Sequence, residues 1–125
     1  MNNILTIDFE TYYAKDFGLT KLTTEEYLRH DRFETIGVAV KVNSGAATWC
    51  SGTQPKVQEF LDSFDWENST AVAHNAMFDM AILNWHFNIR PKNIVDTLSM
   101  ARALHTVEVG ESLAALAEYY GLGQK

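Results

Sequence analysis

Cysteine and positive charge are both scarce in this chain. Cys50 is the only cysteine among the 125 residues, so an internal disulfide and a cysteine-based zinc site are excluded, and a reducing compartment is favoured. The formal net charge of -6 at pH 7 argues against a broad basic surface for nucleic acid. A small site that holds its ligand through bound metals and a few local contacts is still compatible with this charge.

Long apolar segments are also missing. No window approaches the roughly 20 consecutive apolar residues that a membrane-spanning helix needs. The apolar run after Met1 is short and is interrupted by Asp8, which is not typical of a signal peptide. The chain contains no repeat, low-complexity tract or obvious interdomain linker. We therefore expect one globular α/β unit in the cytoplasm, without membrane contact.

The pattern of apolar residues predicts alternating strands and helices. The predicted strands are 4–9, 35–42, 46–50, 70–74 and 93–95. The predicted helices are a short one after Thr23 that reaches about Arg29, and then 55–64, 76–87, 97–104 and 112–120, the last one closed by Gly121. The turn signal at 43–45 predicts an antiparallel hairpin of the second and third strands. Because three strands precede the helix-strand units, we expect a mixed sheet with the first strand at its centre.

Two details of packing follow from the same periodicities. The side chains of Ile36, Val38, Val40 and Val42 should share one face of the second strand. Met77 is expected to contribute to the buried surface of the 76–87 helix, together with Met80, Ala81, Ile82 and Leu83.

Two acidic residues lie at the end of the first predicted strand. Asp8 and Glu10 are two residues apart, so on a strand both carboxylates project from one face while Phe9 projects from the other. Neighbouring negative charges repel each other unless a cation lies between them or one carboxyl is protonated. Carboxylate oxygens suit magnesium or manganese, so the pair predicts metal-dependent chemistry on phosphates. The alternative is that Asp8 caps a turn at the end of the strand and that Glu10 is an exposed surface acid.

A third carboxylate, Asp79, follows the fourth predicted strand. Asn75 is suited to cap the helix that begins at residue 76, which would point Asp79, one turn in, back toward the first strand. His74 is better explained as a hydrogen-bonded strand histidine than as a ligand, since oxygen-rich magnesium sites seldom recruit imidazole.

These residues resemble two motifs of a known family. Asp8-Phe9-Glu10 and Asn75-Ala76-Met77-Phe78-Asp79 resemble, in order, the first two motifs of the 3′-5′ exonucleases that carry four acidic ligands, Asp-Glu-Asp-Asp, on a ribonuclease H-like fold. The resemblance is greatest to the amino-terminal proofreading domain of phage and bacterial DNA polymerases. The segments 20–27, 95–99 and 111–117 are similar as well. The resemblance implies a ribonuclease H-like mixed sheet flanked by helices.

The resemblance also implies an activity and a site. It implies hydrolysis of phosphodiester bonds at the 3′ end of single-stranded DNA, RNA not being excluded, with two divalent ions, Mg²⁺ or Mn²⁺. Asp8, Glu10 and Asp79 would be the catalytic metal ligands. The substrate-binding residues would be Phe9, Thr11, Asn75 and Phe78. A polymerase region would follow in the same protein, and a phage-encoded enzyme would act in the host cytoplasm.

The third motif of the family is not found. It places an Asp four residues after a Tyr or His, and no Tyr or His after Asp79 has this spacing. Asp96 is no substitute, because the matching family segment is a strand-to-helix junction. We therefore expect residues 1–125 to form a partial exonuclease domain, truncated at its carboxyl-terminal side, with little activity alone. The alternatives are a stand-alone DNA or RNA exonuclease and a non-catalytic, exonuclease-like module that binds nucleic acid.

The segment between the first two strands, residues 11–33, has two interpretations. It can be a solvated surface excursion. It can also lie beside the site, where Tyr12, Tyr13, Lys15 and Lys21 would contact the substrate strand by stacking and phosphate pairing.

Overall fold

A computed structural model describes residues 3–105 and 109–123 of the chain. The remaining residues of the predicted domain, 1–2, 106–108 and 124–125, lie outside this description. The strands are β1 (Ile4–Thr11), β2 (Thr35–Val42), β3 (Ala47–Ser51), β4 (Thr70–Ala73) and β5 (Asn93–Asp96). The α-helices are α1 (Thr24–Arg29), α2 (Gln54–Asp62), α3 (Ala76–Phe87), α4 (Thr97–Leu104) and α5 (Leu113–Tyr120). A short 3₁₀ helix, Trp66–Asn68, precedes β4 and was not expected.

The strands form one mixed sheet in the order β3-β2-β1-β4-β5. β1 pairs antiparallel with β2 and parallel with β4, and β5 continues the parallel side. β2 and β3 form the predicted antiparallel hairpin, whose turn places Asn43 at a φ of 50°. The expected central position of the first strand is therefore confirmed.

The core lies on one face of this sheet. Leu5, Ile7 and Phe9 of β1 are buried there, while the residues between them face the other way. The same buried cluster includes residues of β2, β4 and three helices, namely Val38, Val40, Ala71, Ala73, Leu28, Val57, Leu61, Ile82 and Leu83. Burial of these apolar side chains is the main favourable term for folding. Within the described ranges, no helix combines the length and apolar character needed to cross a membrane.

Several local predictions are confirmed. Thr23 and Glu26 form a capping box at the start of α1, which ends at Arg29 as expected. Gly121 closes α5 with a φ of 68°, a left-handed conformation that glycine adopts without steric cost. Cys50 is half-buried on β3, where it packs against the core.

Two packing predictions are wrong. Ile36 is 46% exposed, because the β1–β2 register shifts between Glu10 and Thr11 and the alternation of faces is interrupted there. Met77 is 76% exposed. Met77 precedes Asp79 by two residues. On an α-helix this spacing places Met77 on the opposite side of α3 from the buried positions Asp79, Ile82 and Leu83.

Residues 11–33 are anchored to the core by three buried side chains. Phe17, Tyr27 and Leu28 are 1%, 2% and 0% exposed. The ring of Phe17 packs against that of Tyr27, with centroids 4.9 Å apart. Tyr13, by contrast, is 78% exposed. The segment therefore anchors itself on aromatic residues while it presents other side chains to solvent.

Two leucines of this segment provide a matched test of its packing. Leu28→Ala removes a side chain that is 0% exposed, whereas Leu19→Ala removes one that is 50% exposed. We expect the first change to lower the free energy of unfolding by about 2 to 5 kcal/mol and the second by less than about 0.5 kcal/mol in urea titrations. Equal losses in the two variants would contradict this packing.

Candidate functional site

Asp8 and Glu10 lie on the face of β1 opposite the core. Both are exposed, and across the sheet they pair with Ala39 and Gly37 of β2. Phe9 between them is 5% exposed and stacks on Phe87, with ring centroids 5.9 Å apart. The expected alternation is confirmed. Burial of Phe9 argues against the predicted substrate contact through its side chain.

Asp79 lies in the first turn of α3 and is 4% exposed. Its Oδ1 accepts a hydrogen bond of 3.1 Å from the backbone amide of Phe9. The carboxylate therefore contacts the main chain of β1 between the two other acidic residues. Its position near a helix amino terminus is favourable for a negative charge. Asp79 thus points back toward the end of β1, as the sequence predicted.

The start of α3 differs from the prediction. Asn75 has a φ of 66° and a ψ of 60°, and its side chain makes no capping hydrogen bond. A capping side chain reaches the helix amides from an extended backbone, so the left-handed conformation prevents this role. Asparagine tolerates that conformation better than most residues. Asn75 thus occupies the predicted N-cap position without the predicted side-chain hydrogen bond, and the amides at the start of α3 have another partner.

That partner is Asp96, the last residue of β5. Its Oδ1 accepts hydrogen bonds of 2.9 Å from the amides of Asn75 and Leu98, and its Oδ2 accepts one of 3.2 Å from the Ser99 hydroxyl. Burial raises the pKa of this carboxyl, but hydrogen bonds from the amides of Leu98, Ala76 and Asn75 outweigh burial and leave the pKa below its usual value. The expected strand-to-helix junction is present, with Asp96 as the N-cap of α4.

His74 is held at both ring nitrogens. Nδ1 lies 2.9 Å from the Thr97 hydroxyl, and Nε2 lies 2.8 Å from the carbonyl oxygen of Glu111. These bonds join the end of β4 to the start of α4 and to the segment before α5. The expected hydrogen-bonded histidine is confirmed.

Other predicted substrate-binding residues border the same region. Thr11 is half-buried, and its hydroxyl accepts a hydrogen bond of 2.9 Å from Tyr27. Phe78 is half-buried and stacks on Tyr27, with ring centroids 6.2 Å apart. Tyr12 stacks on Phe17. Their roles stay predictions, as do those of the exposed Tyr13, Lys15 and Lys21.

Two features beside Asp8 and Glu10 were missed by sequence reasoning. A cavity of about 270 Å³ borders Asp8 and is lined also by Thr6, Val72, His74, Thr97 and Leu113. The ring of Trp49 lies over Gly37, so close that a Cβ built on this glycine would be 2.4 Å from it. Trp49 is 51% exposed on the same face as Glu10. Both features arise from pairing between distant segments, for which the local sequence offers no signal.

The carboxylate oxygens in this region meet part of the requirements of a magnesium site. Asp8 and Glu10 supply carboxylate oxygens on one exposed face. Magnesium in phosphate-processing sites is often bound by one or two carboxylates, with water and substrate oxygens completing its coordination. Among the described residues, however, no three His, Cys, Asp or Glu side chains are grouped so that they could hold one ion. The ligand set Asp8, Glu10 and Asp79 therefore stays a prediction.

Comparison with protein families gives one match. The model of a family described as 3′-5′ exonuclease matches residues 13–123. Asp79 falls within the matched region, whereas Asp8 and Glu10 precede it. No match was found among curated protein sequences.

Solved structures share the fold. NrnC of Brucella melitensis with bound Mg²⁺ superposes with a TM-score of 0.67 at 19% identity, over 99% of this chain and 56% of NrnC. The same protein bound to pGG gives 0.66, also at 19% identity, over 99% and 55%. The family B DNA polymerase of Pyrobaculum calidifontis gives 0.64 at 17% identity, over 99% of this chain and 19% of the polymerase. The chain thus spans just over half the length of NrnC, and the ribonuclease H-like fold is confirmed.

The contact between Asp79 and β1 can be tested through stability. Asp79→Ala leaves the amide of Phe9 without the acceptor that it has at 3.1 Å, whereas Asp79→Asn retains a side-chain oxygen at this place. An unsatisfied buried amide costs about 1 to 3 kcal/mol, so we expect the alanine variant to lose that much more unfolding free energy than the asparagine variant. Chemical denaturation measures the difference, and equal losses would argue against this hydrogen bond.

Proposed function

This chain belongs to the 3′-5′ exonuclease family, and we propose that it forms the metal-binding part of an enzyme that removes nucleotides from DNA 3′ ends. The observation that carries the proposal is the hydrogen bond from the Phe9 amide to Asp79. This bond joins the carboxylate of α3 to the strand residue between Asp8 and Glu10. Asp79, 70 positions after Phe9 in the sequence, is thus brought to the strand that carries Asp8 and Glu10.

The proposed ligands of the divalent ions are Asp8, Glu10 and Asp79. Asp8 and Glu10 present their carboxylates on an exposed face that an ion and a phosphate can reach. Asp79 is held in place by β1 and by the start of α3. When bound, divalent ions supply charge neutralisation and Lewis-acid activation in phosphodiester hydrolysis. The protein residues would orient the substrate phosphate, and positioning of this kind accounts for much of the rate of such reactions. The bound Mg²⁺ in NrnC supports the choice of metal.

The proposed substrate is a single-stranded 3′ end, and the enzyme is proposed to be the proofreading part of a phage-type polymerase. The fold similarity to a family B DNA polymerase supports this assignment. The pGG bound to NrnC supports recognition of a short nucleic acid. The exposed Tyr13, Lys15 and Lys21 follow the end of β1, where a ring and two ammonium groups can contact bases and phosphates.

A second candidate is an exonuclease without a polymerase region, acting on DNA or RNA. The superposed region makes up 55% of NrnC but only 19% of the polymerase, so this fold also occurs in a much shorter protein. A polymerase sequence in the same reading frame would favour the first candidate. A non-catalytic module is the less economical explanation, since burying Asp79 carries a desolvation cost that such a module has no reason to retain.

Metal binding tests the ligand assignment directly. We expect the chain to bind Mn²⁺ weakly and Asp8→Asn to remove most of this binding, since we propose that Asp8 is a ligand of both ions. The matched control is Asp62→Asn, which neutralises an exposed acid at the end of α2. Titration followed by electron paramagnetic resonance of free Mn²⁺ measures the affinity. An unchanged affinity in Asp8→Asn would remove Asp8 from the site.

The fourth acidic ligand is proposed to come from outside residues 1–125. No Tyr or His after Asp79 has an Asp four positions on. A longer chain with a helix that carries Tyr-x-x-x-Asp or His-x-x-x-Asp should therefore degrade single-stranded DNA from its 3′ end with Mg²⁺ or Mn²⁺. Residues 1–125 alone should not degrade it, because the absence of one ligand weakens the binding of one ion and leaves the attacking water unoriented. Release of nucleotides from 3′-labelled DNA measures this. Strong activity of the 125-residue chain would refute the proposal.

A further inference from the structure

The start of α3 depends on a residue from another strand. Asn75 is in the left-handed conformation and contributes no side-chain cap to the helix. The unpaired amides at a helix start need an acceptor. Asp96 supplies one from the end of β5, through the 2.9 Å hydrogen bond that its Oδ1 accepts from the Asn75 amide.

One oxygen of Asp96 accepts hydrogen bonds at the starts of two helices. Its Oδ1 also accepts a 2.9 Å hydrogen bond from Leu98, which caps α4. Asp96 is the register partner of Ala73, the last residue of β4, so the carboxylate lies beside the turn between β4 and α3. The hydrogen bond of 2.9 Å between His74 and Thr97 joins the same two chain segments. The starts of α3 and α4 are therefore fixed to each other by polar side chains.

Asp79 depends on the position of this helix start. It lies one turn into α3, and its 3.1 Å hydrogen bond to the Phe9 amide is already near the long end of the usual range. A shift of α3 by a few tenths of an ångström would weaken that bond. Resting on the proposed metal-binding role of Asp79, we infer that Asp96 is a positioning residue, which holds α3 so that Asp79 meets β1 between Asp8 and Glu10.

The geometry distinguishes this role from that of a substitute metal ligand. A carboxylate offers about four acceptor positions. Hydrogen bonds from Asn75, Leu98 and Ser99 occupy three of them, including both on Oδ1, and the Ala76 amide is a further donor. The Asp96 carboxylate thus binds the starts of α3 and α4, and it affects the site by positioning Asp79.

Three substitutions separate these roles. Asp96→Ser keeps a side chain that caps α4 well, but its oxygen is one bond closer to the backbone and should not reach the Asn75 amide. Asp96→Asn retains an oxygen in the place of Oδ1 while it removes the charge. Ser99→Ala removes only the hydroxyl that contacts Oδ2.

The readout is hydrogen exchange of the Phe9 amide, measured by NMR on the metal-free chain and compared with the exchange of the Val40 amide on the neighbouring strand. In Asp96→Ser we expect the Phe9 amide to exchange about tenfold faster relative to Val40, because local opening of its hydrogen bond becomes easier. Asp96→Asn and Ser99→Ala should stay within about twofold of the original chain. The asparagine variant thus provides rescue by the conservative change.

Mn²⁺ titration of the same variants completes the test. The positioning role predicts that Asp96→Ser weakens Mn²⁺ binding while Asp96→Asn retains it. If Asp96→Asn weakens binding as much as Asp8→Asn does, Asp96 is a ligand and the inference is overturned. Unchanged Phe9 exchange in Asp96→Ser would overturn it too. Because exchange is measured without metal, it decides the positioning role even if the original chain binds no Mn²⁺, a result that would count against the proposed function alone.

Discussion

The alternation of side chains along β1 is the constraint on which the site and the core both depend. Successive residues of a strand point to opposite faces, so one strand can bury Leu5, Ile7 and Phe9 while it exposes Asp8 and Glu10. A shift of register by one residue would bury the acids and expose the core. The hydrophobic effect therefore fixes the orientation of the acidic pair. The register shift after Glu10 ends this alternation just beyond the pair.

The second requirement is that α3 reach the end of this strand. Its buried face positions Ile82 and Leu83 in the core and turns Asp79 toward β1. Because the left-handed Asn75 provides no side-chain cap, the helix start relies on Asp96 from the neighbouring strand. Parallel pairing of β4 with β5 places Asp96 beside Ala73 and thus makes this contact possible. The topology of the sheet, and not the local sequence, assembles this half of the site.

Sequence patterns therefore predicted what is local and missed what is not. The bounds of α3 and α4, the capping box at Thr23 and the closing glycine of α5 followed from periodicity and capping residues. The exposed face of β1 and the direction of Asp79 were predictable as well. The core role of Phe17 was not, because it depends on rings that converge from separate segments. The same holds for the Asp96 bond to Asn75, which joins residues 21 positions apart.

The physical case for catalysis lies with Asp79 more than with the Asp-x-Glu pair. Asp8 and Glu10 are exposed, and two carboxylates in water repel each other by less than about 1 kcal/mol at strand spacing. Such a pair can exist without a cation. Asp79 is 4% exposed, and a buried carboxylate carries a much larger desolvation cost. Its hydrogen bond to Phe9 and its place in the first turn of α3 offset part of this cost. The buried Asp79 therefore supports the proposed divalent ion at the end of β1 more strongly than the exposed pair does.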